Sequence, residues 1–207
     1  MQSYARRSIC ISPFFEQLDR FRSGILADVS RHEARVGRMA EVLALGMGFE
    51  AGHAAALGRA GALHDVGKAL VPAEILAKPG RLTAEEMAEM REHPRRGHAL
   101  LKGVGDPELD LAATIALEHH ESWDGSGYPY GLVGDAINKE ARIVTVCDAY
   151  DAVRTKRSYK AALDHEAAVA LILGGDGRTW PDKFDPAILQ LLEREPALLR
   201  EEYARIS

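Results

Sequence analysis

Five histidines and two aspartates, His32, His64, Asp65, His93, His119, His120 and Asp148, each fall on or beside a segment of core-facing helical periodicity. Ligands of these types, gathered from so many segments, suit a buried cluster of two or more hard or borderline metal ions rather than one structural zinc. A carboxylate such as Asp65 can bridge two cations through its two oxygens while neutral imidazoles take the terminal positions. A bridging water or hydroxide, acidified between the ions, is a nucleophile near neutral pH, and the same charges neutralise what builds up on a phosphorus centre. Lys68, three residues after Asp65, is spaced to reach a phosphate oxygen or to help a leaving group.

The elements that must hold these groups read as helices. From 23 to 45, the residues Ile25, Val29, His32, Val36, Met39 and Leu43 recur at helical spacing, with Asp28 one turn before His32 on the same side. A second stripe runs from His53 through Leu57, Ala60 and Gly61 to His64, and stops at the turn from Asp65 to Pro72. Thr83 and Glu86 have capping-box spacing and open a short helix. His93 precedes Pro94, which disfavours helical geometry, so it is expected just outside a helix spanning about 94 to 101 and at its mouth. After the break at Gly103 to Pro107 comes a helix whose stripe, Leu109, Ala112, Ala113 and Ala116, leads to His119 and His120.

Residues 122–138 are glycine-rich and irregular, the kind of loop that carries function inside a compact domain, with Trp123 as its packing anchor. A helix from Lys139 carries Val144, Asp148 and Asp151 along one side and meets the basic run from Arg154 to Lys160. Asp151 stays open between a group that holds a ligand and a helix-stabilising charge. Asp164 caps a helix to Leu173, and a final helical region starts at Asp185. No strand pattern or internal repeat emerges, so the expected fold class is all-α.

The bulk numbers narrow the function classes. With 207 residues, 46% hydrophobic and 28% charged, the chain has the composition of one globular domain with a single core. A net charge of −5 gives no wholesale attraction to a nucleic-acid polymer or an anionic membrane, so an anionic substrate needs a local basic pocket. No stretch approaches the ~20 apolar residues of a membrane span, and the apolar run after Arg7 breaks at Pro13 and Glu16, unlike an export signal. The two cysteines, Cys10 and Cys147, form neither a metal pair nor a disulfide framework, and a cytoplasmic location is expected. Cys147 reads as a small core residue, and His53, His98 and His165 as hydrogen-bonded core histidines.

The ordered motifs carry a resemblance. His64-Asp65-Val66-Gly67-Lys68, then His93-Pro94, then the stretch from His119 to Pro129 ending in Gly127-Tyr128-Pro129, then Arg142 to Ala152, and then Arg157 to Lys160 resemble the HD-GYP subgroup of the HD phosphohydrolases. The likeness covers about residues 23 to 193, leaving 1–22 as an N-terminal extension and 194–207 as a helical tail. It implies a compact helical bundle with a bi- or trinuclear metal centre, often iron or manganese, that hydrolyses cyclic di-GMP to the linear dinucleotide pGpG and often on to GMP.

By position, the resemblance makes His32, His64, Asp65, His93, His119, His120 and Asp148 the metal ligands, with Asp65 as bridge and catalytic together with Lys68. Lys68, Tyr128, Arg157 and Lys160 would contact substrate, Tyr128 either by stacking on a base or by hydrogen-bonding a phosphate. A third ion rests on Asp28, where members that bind one have the longer glutamate. Many members carry an attached sensor or receiver domain, so the regulatory input, including a protein partner, stays open, as does the choice between monomer and homodimer. Two rivals stand beside this reading: hydrolysis of another cyclic dinucleotide such as cyclic GMP-AMP, and an idle nucleotide-sensing or protein-interaction module. The retained ligand set speaks against the second.

Overall fold

Val36, Met39, Ala40, Leu43 and Ala44 are fully buried along one stripe of the first helix, α1, as the periodicity requires. The computed structural model describes residues 31–103, 105–156, 162–176 and 181–206, and α1 occupies 31–46 within them. Asp28, Arg157, Lys160, Cys10 and the segment 23–30 of the expected first helix lie outside the described residues. α1 closes on Gly48, at φ +83°, with Phe49 N–H donating to Ala44 O (3.0 Å) and Gly48 N–H to Leu45 O (3.0 Å). That pair of bonds satisfies carbonyls the helix end would otherwise leave open, and only glycine takes the left-handed position without cost.

Helix α2, Ala51–Gly61, is capped by the Glu50 carboxylate, which accepts from Gly52 and His53 N–H. It begins before His53 and ends three residues short of His64, so His64 and Asp65 sit in the turn after the helix rather than on its last stripe position. α1 and α2 approach closely because both contribute glycine: a Cβ on Gly37 would stand 2.4 Å from Gly58 O. A short 3-10 segment, Val66–Leu70, then leads to α3, Ala73–Leu76. α4, Ala84–Met90, opens on the expected capping box, with Glu86 N–H donating to Thr83 Oγ1 and Thr83 N–H to the Glu86 carboxylate.

α5 spans His93–Leu101, so His93 is its first residue rather than a flanking one. Pro94 is tolerated there because the first turn's N–H groups have no partner within the helix. α6, Pro107–Glu118, is capped by Asp106 and buries Ala112, Ala113, Ile115 and Ala116, leaving His119 at its C-terminal end. α7, Lys139–Arg154, is the central helix, with Ala141, Ile143, Val144, Val146, Cys147, Tyr150 and Asp151 all buried. α8, His165–Gly174, is capped by Asp164 as expected.

The final helical region is two helices, α9 (Pro186–Arg194) and α10 (Ala197–Arg205). They separate where Glu195 leaves helical geometry ahead of Pro196, as the residue before a proline is pushed to do. Every regular element among the described residues is helical, and the fold is all-α. One core joins α1, α2, α6, α7, α8, α9 and Leu199 of α10. Among the described residues no helix is long and apolar enough to cross a membrane. Of the three histidines read as core residues, His165 is buried against the Tyr150 hydroxyl (2.8 Å), whereas His53 is exposed and reaches Glu140 at 2.8 Å.

Candidate metal centre

The ends of three helices and the sides of α1 and α7 converge on one point. The α2 turn brings His64 and Asp65, the α5 N-terminus brings His93, the α6 C-terminus brings His119 and His120, and α1 and α7 bring His32 and Asp148. The ligand atoms fall into two groups, Asp65 with His93, His119 and His120, and His32 with His64 and Asp148, each within 4.8 Å of one another. Asp65 faces both. Its Oδ1 lies 3.2 Å from His93 Nε2 and 3.6 Å from His119 Nε2, while its Oδ2 lies 3.5 Å from His64 Nε2 and 3.9 Å from His32 Nε2.

Four of the imidazoles are fixed through the opposite nitrogen. Nδ1 of His64 donates to Gly61 O (2.8 Å), of His93 to Met90 O (2.7 Å), of His119 to Ala116 O (3.0 Å), and of His32 to Asp151 (2.8 Å). With the proton placed on Nδ1 by these bonds, each Nε2 lone pair aims inward. His93 Nε2 and His119 Nε2 then face each other at 3.4 Å, an unfavourable pairing of acceptors unless a cation stands near both. His64 Nε2 and Asp65 Oδ1 are buried without any hydrogen-bond partner; the imidazoles near Asp65 Oδ1 are close but not aligned to donate. Orphaned buried acceptors of this kind fit a cation, and the donor set can hold metal ions.

The electrostatics of the chain's own groups favour neutral ligands at His119 and His120 and a charged imidazole at His64. Burial pushes the His119 and His120 imidazoles down, which keeps them neutral as metal ligands must be. Burial alone would do the same to His64, but the charges of Asp65 and Asp148 outweigh it and raise His64 to about 9. At 3.5 Å its contact with Asp65 is a charge interaction rather than a hydrogen bond. Burial disfavours the Asp65 carboxylate, yet Lys68, His64 and His119 together hold it well below the usual range, so it stays an anion. Lys68 Nζ donates directly to Asp65 Oδ2 from the rim of the site.

Tyr128 stacks on His120 with ring centroids 4.8 Å apart, and the Arg91 guanidinium lies over its outer face at 5.0 Å. Burial and the Asp65 charge push its phenol up, so Tyr128 is a hydrogen-bond donor. The loop bearing it is tied down by Glu121, whose carboxylate accepts from Tyr130 N–H (2.7 Å) and Leu132 N–H (3.0 Å). Trp123 anchors that loop as expected: its N–H donates to Lys183 O, its carbonyl accepts from Gly134 N–H, and Arg142 covers its ring.

Asp151 resolves as the group that holds His32. It is 1% exposed and also takes a two-pronged contact from Arg35, whose Nε and Nη2 donate to Oδ1 and Oδ2. Burial opposes the charge, but hydrogen bonds from His32 and Arg35 keep the carboxyl below its ordinary range. Tyr203 of α10 stacks against the Arg35 guanidinium at 5.0 Å, so the C-terminal helix supports the site at one remove. Arg35 was missed in sequence because its partners lie far along the chain; its one signal is the position one turn after His32. Asp151→Asn, which weakens the grip on Nδ1 of His32, should lower metal affinity about 10- to 100-fold. A chelator-competition titration checks this, and unchanged affinity would remove Asp151 from the centre.

An all-helical domain that closes a histidine and aspartate cluster of this kind is a metal-dependent hydrolase fold. The chain belongs to the HD domain family, whose model matches residues 23–188, and is of the HD-GYP type, with the Gly127-Tyr128-Pro129 signature intact. The cyclic di-GMP phosphodiesterase response regulator RpfG of Xanthomonas campestris pv. campestris is 42% identical over 81% of this chain and 43% of its own length. The 3'3'-cGAMP-specific phosphodiesterase 2 of Vibrio cholerae is 38% identical over 80% of this chain and 31% of its own. The chain thus spans less than half of these relatives. Among solved structures, Bd1817, a HDG"Y"P protein of Bdellovibrio bacteriovorus, shares the fold at a TM-score of 0.61 and 22% identity, over 82% of this chain and 52% of that one.

Proposed function

We infer that the chain is a metal-dependent phosphodiesterase that hydrolyses cyclic di-GMP to linear pGpG. The observation that carries this is Asp65, with one carboxylate oxygen turned to each of two ligand groups. In this reading His32, His64, Asp65, His93, His119, His120 and Asp148 hold two ions, of iron or manganese, and Asp28 decides whether a third is held. When bound, the ions supply Lewis acidity to the phosphodiester and lower the pKa of the attacking water.

The chain's own groups do the rest. The attacking water gives up a proton as its oxygen bonds to phosphorus, the P–O3′ bond breaks, and the leaving oxygen takes up a proton. Lys68, already beside Asp65, reaches a phosphate oxygen or the leaving group, and the Tyr128 hydroxyl donates to substrate. Arg157 and Lys160 supply positive charge for the phosphates of a substrate that the acidic chain as a whole would repel. A cytoplasmic setting, where such a nucleotide is met, belongs to the same reading.

The likeness to a cGAMP-specific enzyme keeps cyclic GMP-AMP as the second substrate to test. Anaerobically purified protein loaded with iron or manganese should hydrolyse cyclic di-GMP fastest in a panel of cyclic dinucleotides. No hydrolysis of any member at full metal occupancy would sink the enzyme reading. Arg157→Ala should raise KM about tenfold or more with kcat little changed, as expected for loss of one charge-assisted phosphate contact. An unchanged KM would count against that contact.

A further inference from the structure

A second cleft opens beside the metal centre. It has a volume of about 170 Å³, and His119, His120 and Asp148 line it together with Lys183 and Phe184. It therefore adjoins the place where a phosphodiester would react.

Its polar lining is mostly spoken for. Glu121 accepts from the backbone of Tyr130 and Leu132, and Thr145 Oγ1 contacts His119 O and Ala141 O, both at 2.9 Å. Asp148 and the two histidines face the ligand cluster. Lys183 is the one cation lining the cleft among the described residues, and among them no hydrogen bond or ion pair within 4 Å engages its ammonium. Asp124, the acidic residue that feels its charge, is taken up by the Ser126 N–H and hydroxyl at 2.9 and 2.7 Å.

The root of Lys183 is nevertheless fixed. Its carbonyl accepts from Trp123 N–H at 2.9 Å, in the same loop that carries Tyr128. Its neighbour Phe184 is 6% exposed, and Asp185, which caps α9, is held by Arg142 at 2.8 Å. A flexible cation on an immobile base, lining a cleft that adjoins the reacting position, lies within a side chain's length of a bound substrate.

We propose that this cleft is a subsite for the part of the dinucleotide beyond the scissile bond, and that Lys183 contacts the second phosphodiester. The proposal rests on the phosphodiesterase reading above. A cyclic dinucleotide carries two phosphodiesters, and only one can react at the centre at a time. The other is a full negative charge that enters a protein of net charge −5, and an ammonium point charge answers it better than it would an uncharged base edge.

The test compares metal-loaded wild type, Lys183→Ala and Lys183→Arg. Calorimetry gives the Kd for cyclic di-GMP, and turnover is followed on cyclic di-GMP and on bis(p-nitrophenyl) phosphate, which has a single phosphodiester. Lys183→Ala should weaken Kd and raise KM for cyclic di-GMP about tenfold or more. Its kcat and its activity on bis(p-nitrophenyl) phosphate should stay at wild-type values, and Lys183→Arg should restore most of the affinity.

An unchanged Kd in Lys183→Ala overturns the proposal, and so does an equal loss on the small substrate. Weakened binding of cyclic di-GMP with none for cyclic di-AMP would move the contact to a guanine edge and overturn the phosphate assignment. If the wild type binds cyclic di-GMP but does not turn it over, the hydrolase reading fails, and the Kd comparison still decides the role of Lys183. A wild type that binds no cyclic dinucleotide overturns the subsite too.

Discussion

Asp65→Ala is expected to release both metal ions and to abolish turnover, whereas Asp148→Ala should release one. Asp65 is the only side chain among the described residues whose two oxygens turn to both ligand groups, Oδ1 to His93 at 3.2 Å and Oδ2 to His64 at 3.5 Å. Asp148 belongs to the second group alone, where its Oδ1 lies 3.5 Å from His32 Nε2. Removing the shared carboxylate also removes the negative charge that would offset the two proposed cations in a buried place, and no neighbouring acid among the described residues is positioned to replace it in the first group. Losing the ions forfeits several kcal/mol of charge stabilisation in the transition state, so kcat/KM should fall by on the order of 10³ or more. Metal content per chain, measured beside turnover, checks the prediction. A variant that kept two ions and wild-type turnover would show that Asp65 does not bridge.

Much of this was legible in the sequence because it is local. Stripe periodicity marks α1, and the caps at Thr83 and Asp164 each depend on residues a few positions apart. The candidate ligands were legible because their residue types are chemically restrictive and their order is that of a family. What was not legible depends on contacts made at a distance. Arg35 reads as one more surface charge on a polar helix face until Asp151, more than a hundred residues on, and Tyr203 of α10 bury it. Glu121 reads as part of a motif string, but its work is done on the backbone of Tyr130 and Leu132, where no side chain signals the bond. His93 was misjudged by one residue because the rule for residues before proline competes with the tolerance of a first helical turn, and tolerance won. Lys183 carried no signal at all, since a lysine among Pro181, Asp182 and Phe184 has no periodicity and its position over the cleft is set by Trp123.

Gly67→Ala should be the most damaging glycine-to-alanine change among the described residues, and the reason lies in the motif that the ligands share. A Cβ at Gly67 would stand 1.9 Å from His93 O and 2.5 Å from Gly97 N, with the His93 carbonyl carbon at 2.9 Å. All three neighbours are backbone, so no rotamer change can make room. The 3-10 segment Val66–Leu70 would have to move off the N-terminus of α5, and that shift separates Asp65 from His93. The glycine of this motif is thus a packing requirement that holds two candidate ligands at bonding range. Overpacking of this severity is expected to cost about 3 kcal/mol or more, which for a domain of this size lowers Tm by roughly 6–12 °C. Metal affinity should fall with it. Gly174→Ala is the control, since a Cβ there meets nothing within 4 Å at the end of α8, and alanine favours the helix over glycine by up to about 1 kcal/mol. Thermal melts of the two variants with and without metal should move in opposite directions, and a Gly67→Ala protein with wild-type Tm and metal content would show that the close approach is not required.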